Sequence, residues 1–398
     1  NFTVKDAKGD GIIGLGARNT STPPGLKNFR IGMAYLVPGT NGSPSKWVNY
    51  IVTNAATPPV ATQPTSDSQG TLVDKGNGSY TYTFYRDLAK IKDTPGVGDV
   101  TYDGTKTHRL VIALTNGDDP EPPDIFLKSK NAIYEFTIDP ATKAAIPLTA
   151  TSTRRDIVTT AKCEKCHGYL AKMFGHGYKN TDGGHFDTRP DVRNCIACHN
   201  DQMRINAKSA TSVNFVFPTP TETNRRLTPI ILDGEVVLDF PIMIHKMHMG
   251  ERLAKSNYNA DGITFDKKVY SQDITNCRAC HSGDTAAELA AAPQGNNWKD
   301  KPSRLACGSC HDYVKWDGSA SGSCAHPPAV DGVTGQYGLC NHSGGADKPD
   351  TACAGCHAPA DIAGYHVPMA MIDPCNTFSF AAGNAACLAT GATSANSR

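Results

Sequence analysis

Five copies of the pattern C-x-x-C-H occupy the second part of the chain. They read CEKCH, CIACH, CRACH, CGSCH and CAGCH, and they begin at Cys163, Cys195, Cys277, Cys307 and Cys353. A chain with this content of cysteine and histidine would contain about 0.02 such motifs by chance. In c-type haem attachment, two thiols bond to one edge of the porphyrin and the adjacent histidine binds the iron. The sequence therefore predicts five covalently bound haem c groups.

Each predicted haem takes two cysteines and one proximal histidine from its motif. A zinc site would instead use four ligands from two cysteine pairs, and a redox dithiol would need no histidine. Neither alternative accounts for a histidine in the same register after all five pairs. The attachment cysteines are Cys163, Cys166, Cys195, Cys198, Cys277, Cys280, Cys307, Cys310, Cys353 and Cys356, and the proximal iron ligands are His167, His199, His281, His311 and His357.

The other axial position of each iron separates an electron carrier from an enzyme. An occupied position favours electron transfer, whereas an open one can bind and reduce a small molecule. Enough histidines lie outside the motifs to fill every position, so the leading interpretation is a conductor with two histidines on each iron. The alternatives are a multihaem reductase of a small substrate with one open haem, and a passive haem-binding protein. The remaining histidines are His108, His176, His185, His245, His248, His326, His342 and His366.

The segment FPIMIHKMHMG, residues 240–250, places His245 and His248 three residues apart. Asp239 before it and the proline in its first turn predict a short helix. Residues at this spacing lie on one helix face, yet each iron has only one free position, so the two histidines should bind two different, neighbouring haems. The methionines around them could be iron ligands, although soft packing against the porphyrin faces is the favoured interpretation.

Residues 1–150 contain no cysteine and read as an antiparallel β domain. The stretch SYTYTFYRD alternates between two faces as a β-strand does. Further strand-like segments lie between Gly and Pro turns, namely RIGMAYLV, WVNYIV, HRLVIALT and AIYEFTID. These patterns predict a sandwich or a small barrel. Residues 151–398, by contrast, should form a haem domain with little regular secondary structure and short helices, one of them around TAAELAAA. His108 is interpreted as a structural histidine at a strand end.

Charge and hydropathy exclude several partners. Lys and Arg number 39 against 38 Asp and Glu, without a long basic run, so no nucleic acid partner is expected. No apolar stretch is long enough for a transmembrane segment. Haem attachment of this type takes place outside the cytoplasm, where spare thiols pair. The favoured bridges, on proximity alone, are Cys324 with Cys340 and Cys375 with Cys387.

The haem motifs and their flanks resemble the OmcA and MtrC type of cell-surface multihaem cytochromes. The segments that carry the resemblance include RRDIVTTAKCEKCHG, GGHFDTRPDVRNCIACHN, FPIMIHKMHMGERL and CNHSGGADKPDTACAGCH, with NGSYTYTF and THRLVIAL in the β domain. The resemblance implies a split β-barrel beside each pentahaem unit and haems with two histidine ligands. By position, it implies that the distal ligands are His185, His245, His248, His342 and His366, which leaves His176 and His326 as competitors.

The resemblance also implies where the protein works and with what. It implies electron delivery, outside the cell or on its outer surface, to metal ions, minerals, flavins or other cytochromes. Members with ten haems resemble two such modules in tandem, whereas this chain has one, and no N-terminal lipobox cysteine is present in it. A single module carries electrons only between its own end haems, so we expect it to work with other cytochromes or with copies of itself, for example in a head-to-tail filament.

Overall fold

The computed structural model describes most of the β region and the segments around all five motifs. Its elements are short outside the principal sheet, as the frequent Gly and Pro residues predict. The described residues are 1–20, 22, 24–52, 63–67, 69–93, 100–114, 129–149, 152–170, 189–203, 231–232, 235–236, 238–254, 259–260, 263–265, 270–281, 283–320, 323–324, 339–345 and 348–368.

The strands are β1 (Phe2–Thr3), β2 (Phe29–Val37), β3 (Lys46–Asn49), β4 (Thr71–Asp74), β5 (Ser79–Thr83), β6 (His108–Leu114), β7 (Lys130–Ile138), β8 (Ala145–Pro147), β9 (Ile231–Leu232), β10 (Glu235–Val236), β11 (Asn259–Ala260), β12 (Ile263–Thr264), β13 (Val314–Lys315) and β14 (Cys340–Asn341). The α-helices are α1 (Thr160–His167), α2 (Val192–Cys198), α3 (Phe240–Met249), α4 (Ala286–Ala291), α5 (Asn297–Asp300), α6 (Arg304–Cys310) and α7 (Pro359–Tyr365). Short 3₁₀ turns cover Leu88–Asp93, Gly250–Arg252, Cys277–Ala279 and Asp350–Gly355.

Two antiparallel sheets form the β region. The larger has the strand order β3-β2-β6-β7-β8, and the smaller has the order β1-β5-β4. Phe29 and Ile112 of the larger sheet lie in one buried cluster against which Phe2, Leu72 and Tyr82 of the smaller sheet pack. The sheets therefore face each other as a sandwich. The described strands do not form a closed barrel, because each sheet keeps two free edges.

The strand patterns read from the sequence are confirmed in this region. In β5, Tyr80 is fully buried while Tyr85, just beyond the strand on the opposite face, is 68% exposed. His108 is buried in the β region, with Nε2 3.0 Å from the Tyr50 hydroxyl and Nδ1 2.8 Å from the Lys106 carbonyl. Both of its nitrogens thus have protein partners, which agrees with the structural role expected for it.

The second part of the chain is built from short helices and turns, as its composition predicts. The helix expected around TAAELAAA is α4, whose N-cap Thr285 accepts a hydrogen bond from the Glu288 amide. The helix around the two histidines is α3, although Asp239 makes no side-chain cap hydrogen bond. That carboxylate interacts instead with the Arg155 guanidinium. Within the described segments, we find no helix with the length and apolarity needed to cross a membrane.

The second haem motif packs directly on the larger sheet. Trp47 and Ala197 are each 1% exposed and share a buried cluster. The Asn49 side chain donates to the Ala197 carbonyl at 3.1 Å. Fully buried Arg109 lies 4.1 Å over the Trp47 ring and pairs at 3.1 Å with Asp156, which lies between β8 and α1. These contacts join the β region to the motifs.

Candidate haem-binding site

Each motif folds into a single helical turn. In the four motifs after the first, the histidine amide donates to the carbonyl of the first cysteine at 2.8 to 2.9 Å, while the first motif lies inside α1. Residues i and i+4 lie on one face of such a turn, and residue i+3 is their neighbour. Both thiols and the imidazole of each motif are therefore presented on the same side, as attachment to one porphyrin edge requires.

Capping residues fix where three of these turns begin. Thr159, Asp191 and Ser303 lie four residues before the first cysteine of their motifs, and each side chain accepts a hydrogen bond from a backbone amide of the first turn. Such caps stabilise a helix start by about 1 kcal/mol. This repeated spacing was a signal in the sequence that the reading of the motifs did not use.

Four motif histidines face a histidine from elsewhere in the chain. The ring centroids are separated by 6.0 to 6.2 Å in all four pairs. Each pair joins a proximal ligand predicted from a motif to a distal ligand implied by the family resemblance. The pairs are His167 with His248, His281 with His245, His311 with His366, and His357 with His342.

The separation within these pairs fits one metal ion bound from both sides. Imidazole nitrogens bind metals at about 2.0 to 2.1 Å, so two nitrogens on opposite sides of an ion lie about 4 Å apart. Each ring centre lies roughly 1 Å behind its nitrogen, so the centres of such a pair should be about 6 Å apart. The observed values match this separation, and the residues present therefore fit haem iron with two histidine ligands.

Helix α3 presents its two histidines to different partners. His245 faces His281 of the third motif, with ring planes inclined by 37°, while His248 faces His167 of the first motif at 80°. One helical face thus contributes to two separate sites. The divergence expected from the three-residue spacing is seen in the positions of the rings, whereas their ligation of iron stays a prediction.

Backbone carbonyls orient several of the imidazoles. Nδ1 of His248 lies 2.8 Å from the Ile244 carbonyl, and Nδ1 of His366 lies 2.8 Å from the Ile362 carbonyl. His199 makes a similar contact with the Leu238 carbonyl at 3.2 Å. A hydrogen bond at Nδ1 fixes the tautomer and leaves Nε2 free as a metal ligand. The three residues are therefore oriented for coordination through Nε2.

The pair formed by His245 and His281 lies in the least hydrated surroundings. The Nδ1 atoms of both are buried and lack a hydrogen-bond partner within the described part of the chain. Burial, followed by neighbouring His248 and Lys246, lowers the pKa of His245 to about 4. Burial, followed by His245, lowers the pKa of His281 to about 3. Both imidazoles are thus neutral near pH 7, the form that binds metals.

The remaining motif histidine is His199, in the second motif. His185, the one other distal ligand that the resemblance implies, lies outside the described residues, as do the two competitors, His176 and His326. The described residues contain no cluster of three or more histidine, cysteine or acidic side chains that could hold a metal by themselves.

Two aromatic side chains lie beside predicted distal histidines, and the sequence analysis did not predict either contact. The Trp316 ring lies 4.8 Å from that of His342, and the Tyr270 ring lies 5.3 Å from that of His248. Both are remote from these histidines along the chain, so only the fold reveals them. The methionine of α3 with the greatest burial, Met243, packs in a cluster with Leu238 and Phe265, as a packing role predicts.

One of the two expected disulfides is present. Cys324 is bonded to Cys340, at a sequence separation of 16 residues, which confirms the pairing chosen on proximity. The bridge lies two residues before His342 and therefore fixes the chain that carries this ring. Cys375 and Cys387, the other expected pair, lie outside the described residues.

Comparison with known proteins gives matches to one kind of protein. A family model described as outer membrane cytochrome MtrC/MtrF-like, domains II/IV, matches residues 155–367. Multiheme cytochrome MtrC of Shewanella baltica (strain OS185) is 26% identical over 293 residues, which are 73% of this chain and 32% of that protein. The chain thus spans about a third of this curated relative.

Two solved structures share the fold at 22% sequence identity and a TM-score of 0.50. The crystal structure of MtrC from Shewanella baltica OS185 aligns with 92% of this chain and 41% of that chain. The outer membrane decaheme cytochrome OmcA aligns with 86% of this chain and 45% of that chain. At this identity the likeness establishes the fold alone.

Proposed function

Because the chain belongs to the MtrC/MtrF-like family of outer membrane cytochromes, we propose that it is an electron-transfer protein with five c-type haems. In this proposal each haem is attached through one motif, and each iron has two histidine ligands. The protein receives respiratory electrons and delivers them, outside the cell or at its outer surface, to external acceptors or neighbouring cytochromes. The domain division near residue 150 is part of the same proposal.

The four histidine pairs are the observation that carries this proposal. A proximal histidine is expected of any c-type motif, but a second imidazole about 6 Å away is not. Its presence at four described motifs supports a protein whose irons have no open position for a substrate. The reductase with one open haem would require a motif histidine without a partner. The four described pairs leave no such site at their own motifs, so the second motif, that of His199, is the one that the carbon monoxide experiment decides.

The residues of this chain supply attachment, ligation and exclusion of water. The cysteine pairs would attach each haem covalently, and the paired imidazoles would bind its iron. When bound, haem c supplies a one-electron couple that cycles between ferric and ferrous iron. The surroundings of the buried Nδ1 atoms of His245 and His281 would keep water from one pair.

Spectra of the purified holoprotein test the ligation. Mass and pyridine haemochrome analysis should give five haems per chain, and the ferric protein should show only low-spin signals. Carbon monoxide added to the reduced protein should cause no immediate spectral shift. A rapid shift affecting about one fifth of the haem absorbance would contradict the proposal and support the reductase.

Rapid mixing of the reduced protein with a soluble ferric chelate or an oxidised flavin tests the proposed acceptors. Reoxidation of all haems is the expected result. A protein that stays reduced with every acceptor would support passive haem binding instead. Light scattering and electron microscopy test whether copies associate head to tail, and monomers at every concentration would remove the filament from the proposal.

A further inference from the structure

A lysine lies buried in the middle of the helix that holds two distal histidines. Lys246 is 3% exposed, although it follows His245 directly and precedes His248 by two residues. Lysine is almost never fully buried unless another group meets its charge. The surroundings of its ammonium group therefore matter for its role.

The ammonium group of Lys246 reaches a neighbouring haem motif. Helix α3 packs against α6, and Nζ lies 3.5 Å from the carbonyl oxygen of Ser309. Ser309 is 2% exposed and is part of CGSCH, immediately before Cys310. The lysine charge interacts electrostatically with the Cys310 side chain. Asp312, 1% exposed and two residues after Cys310, also interacts electrostatically with this cysteine, and its carboxylate accepts a hydrogen bond from the Ala254 amide.

A positive charge at this place favours the reduced state of the adjacent site. Reduction adds one electron to the iron and lowers the net charge of the site by one unit. A buried charge acts through a medium of low effective dielectric constant and is screened little by salt. An exposed lysine at a similar distance would have a much smaller effect.

We propose that Lys246 raises the reduction potential of the haem attached at Cys307 and Cys310. This inference rests on the proposed function, because it requires haem at that motif with His311 and His366 as ligands. The lysine then makes this site a favoured resting place for an electron within the chain.

The test makes one haem spectroscopically distinct by removing its distal histidine. In the holoprotein, His366→Ala should convert the haem of His311 to high spin, which separates its spectrum from the others. The potential of this signal is measured by spectroelectrochemical titration with and without Lys246→Met. We expect the substitution to lower the reduction equilibrium constant about tenfold, a shift of about 59 mV for a one-electron couple. Lys246→Arg should keep most of the original potential, because it keeps the charge.

The matched control places the label at another motif. His342→Ala should convert the haem of His357, and Lys246→Met should leave the potential of that signal unchanged. Equal potentials with lysine and methionine at the labelled haem of His311 would overturn this inference alone. A missing high-spin signal in both labelled proteins would overturn the ligation and the inference together. If Lys246→Met prevents haem incorporation, Lys246→Gln replaces it in the same comparison with Lys246→Arg, and equal potentials for these two variants would overturn the inference.

Discussion

The bridge between Cys324 and Cys340 should stabilise both the fold and one haem site. Replacing both cysteines by alanine removes a crosslink that closes a loop of 16 residues. The chain-entropy relation gives about 10 cal/mol/K for a loop of this length, or about 3 kcal/mol at 25 °C. We therefore expect the free energy of unfolding, measured by urea titration, to fall by about 3 kcal/mol.

The local consequence of this change follows from the position of His342. Its amide donates to the Lys315 carbonyl at 2.9 Å, and the Cys324 amide donates to the Asn341 carbonyl at 2.8 Å. The disulfide and this short pair of strands therefore both hold the segment that carries the His342 ring in place. Without the bridge, this segment should open before the rest of the protein. The ferric spectrum should then show high-spin haem, identical to that of His342→Ala, at urea concentrations below the main transition.

Ser323→Ala is the control for this experiment. It removes the 3.1 Å hydrogen bond between the Ser323 and Ser343 hydroxyls in the same segment and keeps the bridge. This substitution should lower the free energy of unfolding by no more than about 1 kcal/mol. The reasoning would be refuted if the double alanine variant unfolded within 1 kcal/mol of the parent protein, or if its high-spin signal differed from that of His342→Ala.

Three further predictions concern other parts of the molecule. His245→Ala and His248→Ala should each convert one haem, and a different one in each variant, to high spin, as measured by electron paramagnetic resonance. If both variants changed the signal of the same haem, the two histidines would not bind two different haems. Arg109→Met should lower the free energy of unfolding by about 3 to 5 kcal/mol, because two carboxylates lose a buried partner; a change below about 1 kcal/mol would contradict the role given to this contact. Burial lowers the pKa of His108 below its ordinary value of 6.5, so it is neutral in the folded protein, and stability should fall as the pH drops below about 6.5 because only the unfolded chain takes up the proton. His108→Gln should reduce this slope in urea titrations between about pH 7 and pH 5, and an unchanged slope would assign it to other groups.

The β region could be read largely from alternation, because each strand pattern depends on local sequence and on which face is buried. Tyr80 inside and Tyr85 outside follow directly from the two-residue period. The closure of the sheets is different, since it depends on strand tilt and on contacts between distant strands. The sandwich formed by Phe29 and its partners, rather than a closed barrel, emerged only from the packing.

Sequence alone determined the attachment motifs and the divergence of His245 from His248, because both depend on the geometry of one helical turn. It could not determine which proximal histidine faces which distal one, since those pairs join segments that are remote along the chain. The approach of His248 to His167, and of His245 to His281, was decided by how α3 packs among the motifs. The same packing buries Lys246 beside Cys310. The sequence could not show this, because the burial of a helical side chain and the charges near it depend on which other segments pack against the helix.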